Sequence, residues 1–169
     1  MVIARSLKDA ARLGGATTSL LLRKSEDLVC RNLMCAKLGD ACVCRLAVHV
    51  SRLGSLRELD IAQNDLGVLP DSVFELPRLE HLDISGNGLK ALPENVAALA
   101  SLRILRLSNN ALTALPPELG SLQKLEEVHV DGNSGLEQRD LVELLRQRPG
   151  VRIVGGDKPG TGGCGKQFA

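Results

Sequence analysis

Apolar residues in this chain recur at a spacing longer than any single helix turn or strand pleat. From Leu56 the chain reads LRELDIAQNDLGVLPDSVFELPR, from Leu79 LEHLDISGNGLKALPENVAALAS, and from Leu102 LRILRLSNNALTALPPELGSLQK. The three align without gaps at an offset of 23, and a shorter copy, LEEVHVDGNSGL, starts at Leu125. Their shared order is L-x-x-L-x-L-x-x-N-x-L-x-x-L-P. Within it, apolar and polar residues alternate over Leu59, Asp60 and Ile61, which predicts a short strand with one buried face. An Asn then marks a turn, at Asn64, Asn87, Asn110 and Asn133. Leu66, Leu89 and Leu112 return to the core. Pro70, Pro93 and Pro116 follow; each sets φ and removes a ladder donor, so the return path is extended or a short helical turn rather than a strand. Stacking such units lines their strands into a parallel sheet, each unit burying its leucines against its neighbours.

The flanks depart from this period. The segment from Leu28 can be laid on the same template over 28 residues, with Leu33 and Leu38 at core positions and Gly39 at the place of Gly67. Its fit is imperfect, with Arg31 at a leucine position and Ala36 at the asparagine position. Its extra length predicts a full helix on the return path, capped by Asp40, with Val43, Leu46, Ala47 and Val50 on one face. Ile3, Leu7, Ala10 and Ala11 form an apolar stripe at helical spacing, stopped at Gly14-Gly15. This predicts an N-terminal capping helix and lead-in over 1–27; the alternative is a basic targeting presequence over 1–24. Beyond the last copy, 138–147 reads as a helix with Leu141, Leu144 and Leu145 inward, and Val151 to Val154 as a closing strand. Residues 155–169 hold six glycines and are expected to be a flexible tail.

The recurring leucines, asparagines and Leu-Pro pairs resemble the leucine-rich repeat family, over 28–154. The 23-residue units are similar to the Leu-Pro type of intracellular Ras-linked and phosphatase-linked scaffolds, and the unit from Leu28 to the ribonuclease-inhibitor-like type. The resemblance implies an α/β solenoid, a horseshoe with short parallel strands on its concave face and helical or extended convex segments. It implies a buried ladder of Asn64, Asn87, Asn110 and Asn133, whose amides bond backbone groups the turns leave unpaired. It also implies recognition of another, unidentified protein, generally without catalysis. From the residues themselves no cofactor and no metal site is expected.

Composition narrows this further. Of 169 residues only Phe74 and Phe168 are aromatic, and the net charge is +1. That disfavours base stacking, a carbohydrate platform and any global pull toward nucleic acid or membrane. No apolar run reaches membrane-span length. Five cysteines, Cys30, Cys35, Cys42, Cys44 and Cys164, are an odd number with no secretory pattern before them. They read as thiols of a reducing compartment rather than disulfides or a zinc site. A cytoplasmic monomer, or a mitochondrial one if the presequence reading holds, is expected outside any complex.

Candidate chemistry is sparse. Gly160, Gly165 and Lys166 fit the phosphate-cradling pattern G-x-x-x-x-G-K-[ST], but Gln167 replaces the hydroxyl and no helix follows. Nucleotide binding there is a remote alternative. His49 lies on the expected convex helix, and His81 and His129 fall two turns apart, too far to share a metal.

By alternation, the third, fifth and seventh positions of each unit face solvent on the concave side. They are Glu58, Asp60 and Ala62; His81, Asp83 and Ser85; Ile104, Arg106 and Ser108; Glu127, His129 and Asp131. The second positions, Arg57, Glu80, Arg103 and Glu126, alternate in charge. The expectation is a docking strip with Arg106 as anchor and Ile104 as an apolar spot, set among carboxylates that favour a partly positive partner. A solvated face without function, or a structural subunit wedged into an organellar ribosome or ciliary assembly, is the alternative.

Overall fold

The computed structural model describes residues 1–29 and 42–155. Among them, seven strands form one parallel sheet in chain order: β1 (Ile3–Ala4), β2 (Ser19–Leu21), β3 (Glu58–Asp60), β4 (His81–Asp83), β5 (Ile104–Arg106), β6 (Glu127–His129) and β7 (Arg152–Val154). Three α-helices accompany it: α1 (Leu7–Leu13), α2 (Val43–Val50) and α3 (Gln138–Gln147). The sheet is open, as expected of an α/β solenoid.

The 23-residue period sets the central register, with Leu59 beside Leu82, Leu82 beside Leu105, and Leu105 beside Val128. These residues and the row Ile61, Ile84, Leu107 and Val130 are at most 1% exposed. Each contributes about 1.5–3 kcal/mol by burial. After each strand the chain crosses the buried asparagine and turns through Pro70, Pro93 or Pro116 into a single 3₁₀ turn: Asp71–Val73, Glu94–Ala98 or Pro117–Ser121. The prolines sit in the extended region, with φ of −78°, −74° and −67°. A 23-residue unit leaves no room for a longer helix on the outside. One turn suffices to bury Val73, Val96 or Leu119 against the strands.

The asparagine ladder runs through the turns. Asn87 Nδ2 donates to the carbonyls of Ile61 and Ile84, both at 3.0 Å. Asn87 Oδ1 accepts the Asn64 N–H at 3.1 Å. Asn110 repeats this with Ile84, Leu107 and the Asn87 N–H at 3.1, 2.8 and 3.0 Å. Asn133 donates to Leu107 and Val130 and accepts from the Leu112 N–H. Asn64 continues the ladder toward the N-terminus, donating to the Leu22 carbonyl and accepting the Ser25 N–H. A short carboxamide can satisfy a carbonyl and an N–H on adjacent units at once.

The N-terminal portion differs from the sequence reading. The strand beside β3 is β2, with Ser19 paired to Glu58, 39 positions on, and Leu20 to Leu59. β1 then pairs β2. The sheet therefore extends back to Ile3, not to a boundary at residue 28. Residues 1–27 hold two strands as well as α1. Leu20 and Leu22, both buried, provide the alternation expected from the segment after Leu28. Leu28 itself ends a 3₁₀ turn, Glu26–Leu28, opened by Ser25. Arg31, Leu33, Ala36, Leu38, Gly39 and Asp40, the expected cap of the helix, lie outside the described residues. The N-cap residue of α2 is Cys42, whose Sγ accepts the Cys44 N–H. Leu46 and Val50 of α2 are buried.

Both ends of the sheet carry helices. Ser6 caps α1 by accepting the Asp9 N–H at 3.0 Å, and Gly14, at φ 54°, ends it. The left-handed φ is one that glycine adopts at least cost. At the other end α3 buries Leu141 and Leu144 beside the last 3₁₀ turn and stops before Pro149. None of the described helices is long and apolar enough to cross a membrane. The tail residues Gly160, Cys164, Gly165, Lys166 and Gln167 lie outside the described residues, as do Cys30 and Cys35.

Candidate functional site

The concave face is the surface that the strand alternation turns away from the leucines. Cross-strand register places Glu58, His81, Ile104, Glu127 and Arg152 in one row. Asp60, Asp83, Arg106, His129 and Val154 form the next. Neighbouring strands stand about 4.8 Å apart, so each row is a continuous line of side chains. Ala62, expected on this face, is fully buried. One strand, β5, lies between His81 on β4 and His129 on β6. Among the described residues no group of three or more His, Cys, Asp or Glu side chains could hold a metal ion. His49 Nδ1 is engaged by the Arg45 carbonyl at 2.8 Å.

Most of the expected acidic character is neutralised internally. Arg23 reaches over from two residues after β2, placing Nε 3.1 Å from Asp60 Oδ2 and Nη2 2.6 Å from Asp83 Oδ2. The other oxygen of each aspartate accepts a backbone N–H two residues on, from Ala62 and Ser85, both at 3.0 Å. Asp60 and Asp83 thus close local turns and bind Arg23, and Asp83 is almost wholly buried.

Glu127 is also spoken for. His129 Nε2 lies 2.6 Å from its Oε1, and Arg152 Nη2 lies 2.5 Å from its Oε2. Burial works against its charge, but the hydrogen bonds from Arg152 and His129, and the Arg152 charge, outweigh that. They hold the carboxyl below the ordinary glutamate range. Asp131 accepts a longer bond, 3.3 Å, from the Ser108 hydroxyl. The preference for a partly positive partner, expected from counting carboxylates, therefore does not follow from the geometry.

The side chains left open form a different set. Arg106 is exposed and makes no ion pair with any described residue. Ile104 and His81 beside it are half-buried, and Glu58 has no side-chain partner among the described residues. Along the rim, Arg57 pairs with Glu80, and Arg103 donates to Glu126 Oε1 from Nε at 2.9 Å and Nη2 at 2.7 Å. These pairs face an open groove of about 720 Å³ that Lys124 and Arg148 also line. As exposed pairs they add little stability, about 0–1 kcal/mol each.

Arg23 and Arg152 were not among the residues expected at the site. Arg152 could have been found by extending the alternation into Val151 to Val154. Arg23 follows the Leu20-x-Leu22 alternation, but the signal there is only one strand long.

A family model described as a leucine-rich repeat region matches residues 18–153. Comparison with curated proteins returned no match. Among solved structures, a leucine-rich repeat protein of Leptospira interrogans is 28% identical, with 62% of this chain and 32% of that chain covered and a TM-score of 0.48. The ectodomain of the Arabidopsis thaliana membrane receptor kinase GASSHO1/SCHENGEN3, solved in complex with CASPARIAN STRIP INTEGRITY FACTOR 2, is 24% identical. It is covered over 63% of this chain and 13% of that one, with a TM-score of 0.52. The Drosophila Toll–Spatzle complex is 20% identical, covered over 78% and 16%, with a TM-score of 0.54. The chain thus spans a third or less of each of these three chains. The last two share its fold.

Proposed function

The chain belongs to the leucine-rich repeat family, and from that premise we propose that it is a non-catalytic protein-binding module that seats its partner on the concave sheet. The family is typically an interaction fold rather than an enzymatic one. The observation that carries the reading is Arg106: an exposed guanidinium in the middle of the sheet, unpaired among the described residues, beside Ile104. Its carboxylate neighbours are already engaged, Asp83 by Arg23 and Glu127 by Arg152. The partner group that complements this spot is a carboxylate next to an apolar side chain. A bidentate Arg–carboxylate contact gives orientation as well as affinity, and arginine is enriched among residues that dominate interfaces. The role is a scaffold or adaptor for one protein.

Affinity purification from the native cell tests this with wild type and Arg106→Glu. The variant should fold as wild type, since the side chain faces solvent, and should lose its co-purifying protein at least tenfold. Undiminished recovery of every partner would refute the concave reading.

A further inference from the structure

Away from the concave face, two cysteines stand together where α2 begins. Cys42 is the N-cap residue, in the extended region at φ −141° and ψ 137°, and Cys44 lies in the first helical turn. The cap geometry folds Cys42 back over that turn, so that its Sγ accepts the Cys44 N–H at 3.4 Å. The same fold brings the two sulfurs to 2.9 Å. A disulfide needs about 2.05 Å, so bond formation requires less than 1 Å of sulfur movement. The two differ in access: Cys42 is buried at 6% exposed, and Cys44 is half-buried.

We propose that Cys42 and Cys44 form a peroxide-reactive dithiol that closes to an intramolecular disulfide. Access sets the order of events. The Cys44 thiolate attacks one peroxide oxygen, breaking the O–O bond; Cys44 becomes the sulfenic acid and the other oxygen leaves as water after taking up protons. The sulfenic state is the first and reversible rung of cysteine oxidation. Cys42 Sγ then attacks Cys44 Sγ, forming the S–S bond and expelling the sulfenic hydroxyl as a second water. One peroxide is reduced to two waters, and two thiols are oxidised to one disulfide. Proximity makes Cys42 the resolving thiol, because the attacking sulfur is already in contact. The Cys44 N–H holds Cys42 Sγ over the first turn, against the sulfur it attacks, and the thiolate is the form that attacks. Excess dithiol reverses the step by exchange.

The sequence makes the test direct. Trypsin places Cys42 and Cys44 together on the peptide 38–45, while Cys30, Cys35 and Cys164 fall on three others. The full-length protein is treated with stoichiometric hydrogen peroxide, alkylated, digested without reduction and mapped by mass spectrometry. The expected result is peptide 38–45 lighter by two hydrogens and protected from alkylation, with both changes undone by dithiothreitol. In Cys42→Ser the bond cannot close, and a sulfenic-acid trap such as dimedone should label Cys44. A 38–45 peptide that stays fully alkylated, or is cross-linked to another cysteine peptide, overturns the proposal. So does Cys44 driven only to the sulfinic acid. The wild-type map decides the matter even if the variant fails to fold.

Discussion

Asn87→Ala isolates the contribution of the asparagine ladder. Asn87 is fully buried and has four principal bonds. Its Nδ2 donates to the Ile61 and Ile84 carbonyls, but those carbonyls keep a second donor, from Asn64 at 2.7 Å and Asn110 at 3.1 Å. Its Oδ1 is different. It accepts the N–H groups of Asn64 at 3.1 Å and Leu66 at 3.4 Å, and neither donor has another acceptor among the described residues. The alanine variant therefore orphans two buried donors. Each costs about 1–3 kcal/mol, discounted for the long Leu66 bond and for a water that can enter the polar vacancy. A loss of roughly 3 kcal/mol follows from that range. For a chain of this length it lowers Tm by roughly 6–12 °C.

Asn133→Ala is the internal control. It orphans one described donor, the Leu112 N–H, at a site that is 9% exposed, so it should cost about half as much by the same scale. With neither Trp nor Tyr in the chain, equilibrium urea unfolding is followed by circular dichroism. A loss below about 1 kcal/mol for Asn87→Ala, or one no larger than for Asn133→Ala, would refute the donor accounting.

Two further perturbations address the concave face. Arg23→Ala strips the cation from Asp60 and from nearly buried Asp83. With Arg23 itself 47% exposed, the expected loss is about 1–2 kcal/mol, well short of a fully buried pair; unfolding indistinguishable from wild type would show that the bridge is decorative. Glu127→Gln tests the depressed carboxyl. A lowered folded value means that the stabilisation is present above the ordinary glutamate value of 4.5 and is lost as pH falls through the lower folded one. The stability gap between wild type and variant should therefore be widest near neutrality and close in acid. A gap that is constant with pH would contradict this.

The legible and illegible parts of the site divide by range. Every element built inside one 23-residue unit could be read from the chain, because strand alternation, turn asparagine and Leu-Pro return are short-range constraints that repeat. The row from Glu58 to Glu127 followed from the same period, as did the solvent-facing placement of Arg106. What those charges do was not legible. The carboxylates of Asp60 and Asp83 appear in the chain as free charge on an acidic strip, yet the guanidinium that neutralises them is Arg23, separated in sequence by a long connection. The strand beside β3 was misplaced for a related reason. Ser19 pairs Glu58 at an offset of 39, outside the repeat period, so a template fixed at one spacing passes over it.

The sequence by itself thus determined the repeating unit, its buried leucine and asparagine columns, and which faces of the strands meet solvent. These rest on periodic burial and backbone satisfaction, which each unit must meet locally. Only the tertiary structure decided where the sheet begins, which carboxylates are already paired, that Arg106 is left open, and that Cys42 and Cys44 touch. Pairing and contact depend on distances between side chains, and the chain order does not encode these once the connections depart from the repeat.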